Sequence, residues 1–157
     1  MTRAEAAVFV ARGVHGAGYL PQQPSQTPFA DVPLSEWFAK WARRLWDDGH
    51  TAGCRVAPLL FCPGQAHSRA EATVFFGRML HGKDYMPAEP TRSEYEDVAL
   101  GQWYAKWVMA AHTDGLVQEC EAPAERGDRM FRPLAEITRA EAACMMARVR
   151  PLQGGGG

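Results

Sequence analysis

The sequence has no uninterrupted apolar run near the roughly 20 residues that a membrane-spanning helix needs. No membrane span is therefore expected. Charge of one sign is also missing: 17 Lys and Arg stand against 18 Asp and Glu, for a formal net charge of −1. A general nucleic-acid binder would carry a basic stripe, so no nucleic-acid partner is expected. There is no Gly-rich phosphate loop, nucleophile elbow or His-Glu-x-x-His pattern. These absences argue against an enzyme, and no cofactor or metal is expected. Nor is there a secretory leader, because Met1 leads straight into a charged, helix-forming segment. If the protein is exported, its leader lies outside this chain or has been removed. Cysteine is scarce, with four in 157 residues, too few for a disulfide-dense scaffold. The closing Gly154 to Gly157 has no side chains to pack and reads as a flexible linker.

What the chain does contain is repetition, which is sought first because it decides the fold. Phe29-Ala30-Asp31-Val32 to Trp37-Phe38-Ala39-Lys40-Trp41 returns 66 residues later as Tyr95-Glu96-Asp97-Val98 to Trp103-Tyr104-Ala105-Lys106-Trp107. Gly49/Gly115, Cys54/Cys120 and Tyr19-Leu20-Pro21/Tyr85-Met86-Pro87 keep the same offset. A second element occurs three times, at Thr2-Arg3-Ala4-Glu5, Ser68-Arg69-Ala70-Glu71 and Thr138-Arg139-Ala140-Glu141. Its last interval is 70, so the final loop holds four extra residues. The register gives a trailing half-unit with linker at 1–27, units at 28–93 and 94–150, and a tail at 151–157. The chain opens in mid-repeat, which implies a preceding half that is missing or supplied by another chain.

Both elements read as helices. Over Leu34 to Asp48, Trp37, Phe38, Trp41, Ala42, Leu45 and Trp46 form one wide apolar stripe at helical period. Gly49 is a natural stop. The second copy places Trp103, Tyr104, Trp107, Val108 and Ala111 before Gly115. The other element is a capping box, with a hydroxyl at the N-cap and Glu three residues on. Its helices continue through Ala6 to Arg12, Ala72 to Met79 and Ala142 to Val149, while Pro21 to Pro28 and Pro87 to Pro90 cannot be regular helix. The expected class is all-α: helix–loop–helix repeats packed around a shared helical core, since no unit can bury its own tryptophans alone. On that reading Trp37, Trp41, Trp103 and Trp107 are core aromatics, with sugar-stacking platforms as the rival role. Trp46, at the stripe's edge and replaced by His112 in the second copy, is half exposed.

In register, Phe-x-Asp-Val, Trp-x-Ala, a glycine and Thr/Ser-Arg-Ala-Glu resemble the S-layer-homology repeat over residues 1 to about 149. The resemblance implies a pseudo-threefold helical array, here with its first unit incomplete. It also implies an extracellular location at the cell surface or cell wall. There, grooves would bind cell-wall polysaccharide, an anionic or pyruvylated glycan. The family's ligand-associated motif falls on Arg3, Arg69 and Arg139 with Glu5, Glu71 and Glu141. The first Phe-x-Asp-Val half is missing, which leaves one groove incomplete, and Ser68 keeps the hydroxyl of threonine.

Each motif arginine sits in a first helical turn, where the macrodipole disfavours positive charge. A partner that needs it is implied. A ligand carboxylate fits, with the helix N–H groups as further donors; the competing role is bracing the repeat against Asp31, Asp97 or another unit's acid. Glu71 and Glu141 are caps before they are ligand contacts. Asp31 and Asp97 accept backbone N–H groups in a turn, with a sugar-hydroxyl contact as the alternative. Cys54 and Cys62 flank a short loop and favour a disulfide over a zinc site built with His50 and His67. Cys120 has Cys144 as its remaining partner, and Cys144 otherwise reads as a small buried apolar residue. The resulting expectation is a non-catalytic glycan-binding anchor. The alternative is a self-assembling lattice or filament, a homo-oligomer formed through the incomplete first unit.

Overall fold

A computed structural model describes residues 1–120 and 128–154 of the chain. It divides into two compact units, Met1–His67 and Ser68–Gly157. Each unit opens with a motif helix and adds the aromatic helix that follows it in sequence. This grouping is offset by half a repeat from the sequence register.

In the first unit, α1 runs Arg3–His15 and α2 runs Ala39–Asp47. α1 starts where the sequence places it. The Thr2 hydroxyl accepts the Glu5 N–H and the Glu5 carboxylate accepts the Thr2 N–H, so the capping box is complete. Its buried face is Ala4, Ala6, Ala7, Val10 and Ala11, small residues that let α2 approach closely. α2 buries Ala39, Trp41, Ala42 and Leu45. It ends in a Schellman motif: the Gly49 N–H bonds the Trp46 carbonyl, the His50 N–H bonds that of Leu45, and Gly49 has φ 73°. The left-handed residue there is the glycine that sequence marks as the stop.

The start of α2 differs from expectation. Residues 34–38 form successive tight turns, in which the Glu36 N–H bonds Pro33 and the Ala39 N–H bonds Glu36. The α-helical ladder therefore begins at Ala39, with no side-chain cap. Trp37 lies outside the helix and is rotated off its buried face. It is 55% exposed, and its counterpart Trp103 is 53% exposed. These two tryptophans are not core residues, whereas Trp41 at 4% and Trp107 at 5% are. Trp46, at 37%, is half out of the core as its edge position implies.

The all-α expectation also needs correction. The described residues are helix-rich, but they include a small antiparallel sheet of β1 (Arg55–Val56) and β2 (Leu59–Leu60). It lies inside the loop closed by the Cys54–Cys62 disulfide. A cross-link eight residues apart brings the flanks to strand-pairing distance, and the Cys54 N–H bonds the Leu60 carbonyl at 2.7 Å. Gly53 makes that approach feasible: its φ is +80°, and a Cβ there would sit 2.4 Å from the Leu60 oxygen.

The second unit contains α3 (Arg69–His81), α4 (Ala105–Thr113) and α5 (Arg139–Gly154). α3 packs against both α4 and α5. Ser68 and Glu71 form the capping box of α3, and α4 repeats the Schellman ending through Gly115 and Leu116. The core gathers Phe76, Trp107, Val108, Leu116, Phe131, Ile137 and Met145. A second disulfide, Cys120–Cys144, ties the end of the α4 segment to α5. α5 continues to Gly154 and so takes in the start of the expected tail. Residues 155–157 lie outside the described residues, as do 121–127, where part of the four-residue loop insertion falls. No helix among the described residues is long and apolar enough to cross a membrane.

Candidate ligand-binding surface

The two sequence signatures meet in one device, built the same way in each unit. The Asp31 carboxylate accepts the N–H groups of Phe61 and Cys62, both at 2.7 Å. Asp97 accepts those of Phe131 and Arg132 at 2.7 and 2.6 Å. Sequence assigned these aspartates a backbone-accepting role in their own turn. The role is right, but the donors lie 30 to 35 residues away. Cys62 and Arg132 both have φ 56°, a left-handed conformation that costs an L-residue roughly 1–2 kcal/mol. The two-pronged aspartate contact holds that conformation.

The loop so fixed then turns back over the motif helix. In the first unit the Arg3 and Ala4 N–H groups bond the Gln65 and Pro63 carbonyls at 2.9 and 3.0 Å. In the second, Arg69 and Ala70 bond those of Ala135 and Pro133, both at 2.9 Å. The arginine side chains complete the seam. Arg3 Nε donates to the Phe61 carbonyl at 2.8 Å, and Arg69 Nε to that of Phe131 at 2.7 Å. Each guanidinium also lies over the ring of the same phenylalanine, at 5.4 and 5.0 Å. Arg3 is 5% exposed and Arg69 is 4%.

This geometry alters the expected binding site. The backbone donors at the starts of α1 and α3, which a carboxylate ligand would need, are occupied by loop carbonyls. Arg69 further pairs with Glu141 through Nη1 and Oε1, so the bracing role foreseen for these arginines is realised there. Glu141 is buried and uses Oε2 to accept the Thr138 N–H and hydroxyl. Glu71 caps α3 through the Ser68 N–H at 2.8 Å. Of the three motif arginines, Arg139 alone is exposed, with Thr138 and Ala140 beside it. Both cysteine pairs are formed, and the Cys54–Cys62 bond takes the two sulfurs that a zinc site with His50 and His67 would use.

The chain matches no known protein-family model and no curated protein.

A second repeated cluster went unread in sequence. His15 Nε2 donates to Asp48 Oδ2 at 2.7 Å, linking α1 to the end of α2. His81 does the same to Asp114 at 2.8 Å, linking α3 to α4. Tyr19 and Tyr85 lie against these imidazoles at 4.3 and 4.2 Å and meet Trp41 and Trp107 edge-on. Arg12 and Arg78 cover the same tryptophans at 5.3 and 5.4 Å. The signal was present: His15-Gly16 and His81-Gly82 precede the repeated Tyr-x-Pro by the same spacing. In the first unit, burial pushes the Asp48 carboxyl upward, but hydrogen bonds and charge from Arg44 and His15 outweigh it. The net shift is below the ordinary aspartate value. This cluster clamps the paired helices, with His15 and His81 at the surface.

Proposed function

We propose that the chain is a non-catalytic, S-layer-homology-like module that binds cell-wall polysaccharide at the cell surface. The observation that carries this reading is the shared job of the two signatures. Phe-x-Asp-Val and Thr/Ser-Arg-Ala-Glu do not merely recur; their aspartate and arginine grip the same loop from opposite sides, in both units. That cooperation supports reading the two motifs as parts of one repeated device. Two disulfides support an oxidising compartment outside the cytoplasm. In this reading the array is a pseudo-threefold with its first unit incomplete. Arg139 offers its guanidinium to an anionic or pyruvylated sugar, while Arg3, Arg69, Asp31, Asp97, Glu71 and Glu141 shape the scaffold. Sedimentation with isolated cell walls tests it. Retention that soluble anionic wall polysaccharide reverses is expected, and a protein left wholly in the supernatant would overturn it.

A specific observation favours the alternative of self-assembly. Arg3–Ala4 and Arg69–Ala70 lie buried under their loops, whereas Arg139 and Ala140 are exposed at the start of α5. A second copy packed over that exposed end would give a homo-oligomer. A sedimentation coefficient that rises with protein concentration is its signature, and a constant monomer value excludes it.

A further inference from the structure

We infer that the exposed indoles of Trp37 and Trp103 are the sugar-stacking platforms of this module, and that Arg3 and Arg69 make no ligand contact. The inference rests on the glycan-binding reading and locates its site. Two of the chain's large apolar side chains stand more than half exposed at equivalent places, 66 residues apart. Neither is loose. Trp37 meets Phe38 at 5.5 Å and 89°, and Trp103 meets Tyr104 at 5.6 Å and 82°. A perpendicular neighbour fixes each indole plane without a parallel ring stacked over it. The preceding turns, tied by Glu36 to Pro33 and by Gln102 to Ala99, pin the backbone. Such a ring is already oriented and loses little freedom on binding.

The surroundings select the occupant. Each platform has one partly exposed leucine beside it in the turn, Leu34 or Leu100, and then polar or small exposed residues: Ser35 and Glu36, or Gly101 and Gln102. One indole and one leucine inside a polar border make too small an apolar patch for a stable protein interface, which buries roughly 800 Å² per partner. It matches one pyranose ring, whose C–H face lies on the indole while its hydroxyls reach the polar rim. Arg3 and Arg69 are excluded by burial and by their bonds to the Phe61 and Phe131 carbonyls.

The test uses the full chain with isolated wall polysaccharide, comparing wild type, Trp37→Ala/Trp103→Ala, Trp37→Phe/Trp103→Phe and Arg139→Ala. Each alanine change should weaken binding about tenfold, or ~1.4 kcal/mol, while thermal unfolding stays within a few degrees of wild type. The phenylalanine pair should retain most of the affinity. Alanine variants that bind like wild type would overturn the platforms and leave the wider reading intact, as would alanine variants that unfold. Wild type that binds no wall polysaccharide, or that binds phosphatidylglycerol vesicles instead, would overturn both.

Discussion

Arg69 and Arg139 occupy the same place in the same four-residue motif, yet removing each should have very different consequences. Arg69→Ala deletes the Nε bond to the Phe131 carbonyl at 2.7 Å, the contact over the Phe131 ring at 5.0 Å and the ion pair with Glu141. It leaves Glu141 buried without its countercharge. Breaking one side of a buried pair costs about 3–5 kcal/mol. Glu141 keeps its Thr138 donors, so the lower end, about 3 kcal/mol, applies. For a chain of this size that corresponds to a melting-temperature drop of about 10 °C. Arg139 is exposed, where an ion pair is worth at most about 1 kcal/mol, so its alanine variant should lose no more than that. Urea unfolding followed by tryptophan fluorescence measures both, with an unchanged slope and a lower midpoint marking a loss of native stability. Equal midpoints for the two variants would refute the division into buried latch and exposed contact. So would wall binding that Arg69→Ala abolishes at full stability, since that would make Arg69 a ligand residue.

Other consequences follow from the same contacts. Asp97→Ala removes two charge-assisted backbone bonds and should cost about 2–4 kcal/mol. Hydrogen exchange should show the Phe131 and Arg132 amides losing protection first, and unchanged protection would contradict the loop-holding role. The Asp48 carboxyl titrates below its ordinary value in the folded chain. Its contribution is therefore complete above the unfolded pKa of about 3.9 and is lost as pH falls through the folded value. Asp48→Asn should flatten that acid limb of the stability curve, and an unaltered limb would remove Asp48 as its source. Opening Cys54–Cys62, eight residues apart, should cost about 2.5 kcal/mol, and opening Cys120–Cys144, 24 apart, about 3.4 kcal/mol by loop entropy. Paired alanine variants in denaturant would reveal a reversed order if strand pairing inside the shorter loop dominates.

The helices that sequence located well are those with chemical punctuation. Thr2, Ser68 and Thr138 mark the starts with Glu three residues on, and Gly49 and Gly115 mark the ends of α2 and α4. Where α2 starts, no side-chain cap exists, and the apolar period alone drew the helix back to Leu34. That overextension is what placed Trp37 and Trp103 in the core. Periodicity reports which residues would share a face if the helix continued, and says nothing about tight turns that interrupt it. The hairpin in the Cys54–Cys62 loop was hidden for another reason. It has two residues per strand, too few to show alternation, and its pairing depends on a cross-link and on Gly53. The His–Asp clamps needed helix pairing to be known before Asp48 and Asp114 could be matched with His15 and His81.

The motif arginines illustrate how a correct physical premise can lead outside the molecule when its answer lies within. A cation in a first helical turn does require a partner. At Arg3 and Arg69 that partner is a carbonyl that the chain itself supplies, held in place by Asp31 or Asp97. The aspartate and arginine of the two signatures are therefore coupled through one loop, and each is needed for the other's geometry. This explains why they recur together and in register. Recurrence in a repeat array thus separates into two kinds. Buried repeated residues reproduce the unit, and exposed repeated residues, of which Trp37 and Trp103 are the largest, present the same chemistry outward a second time.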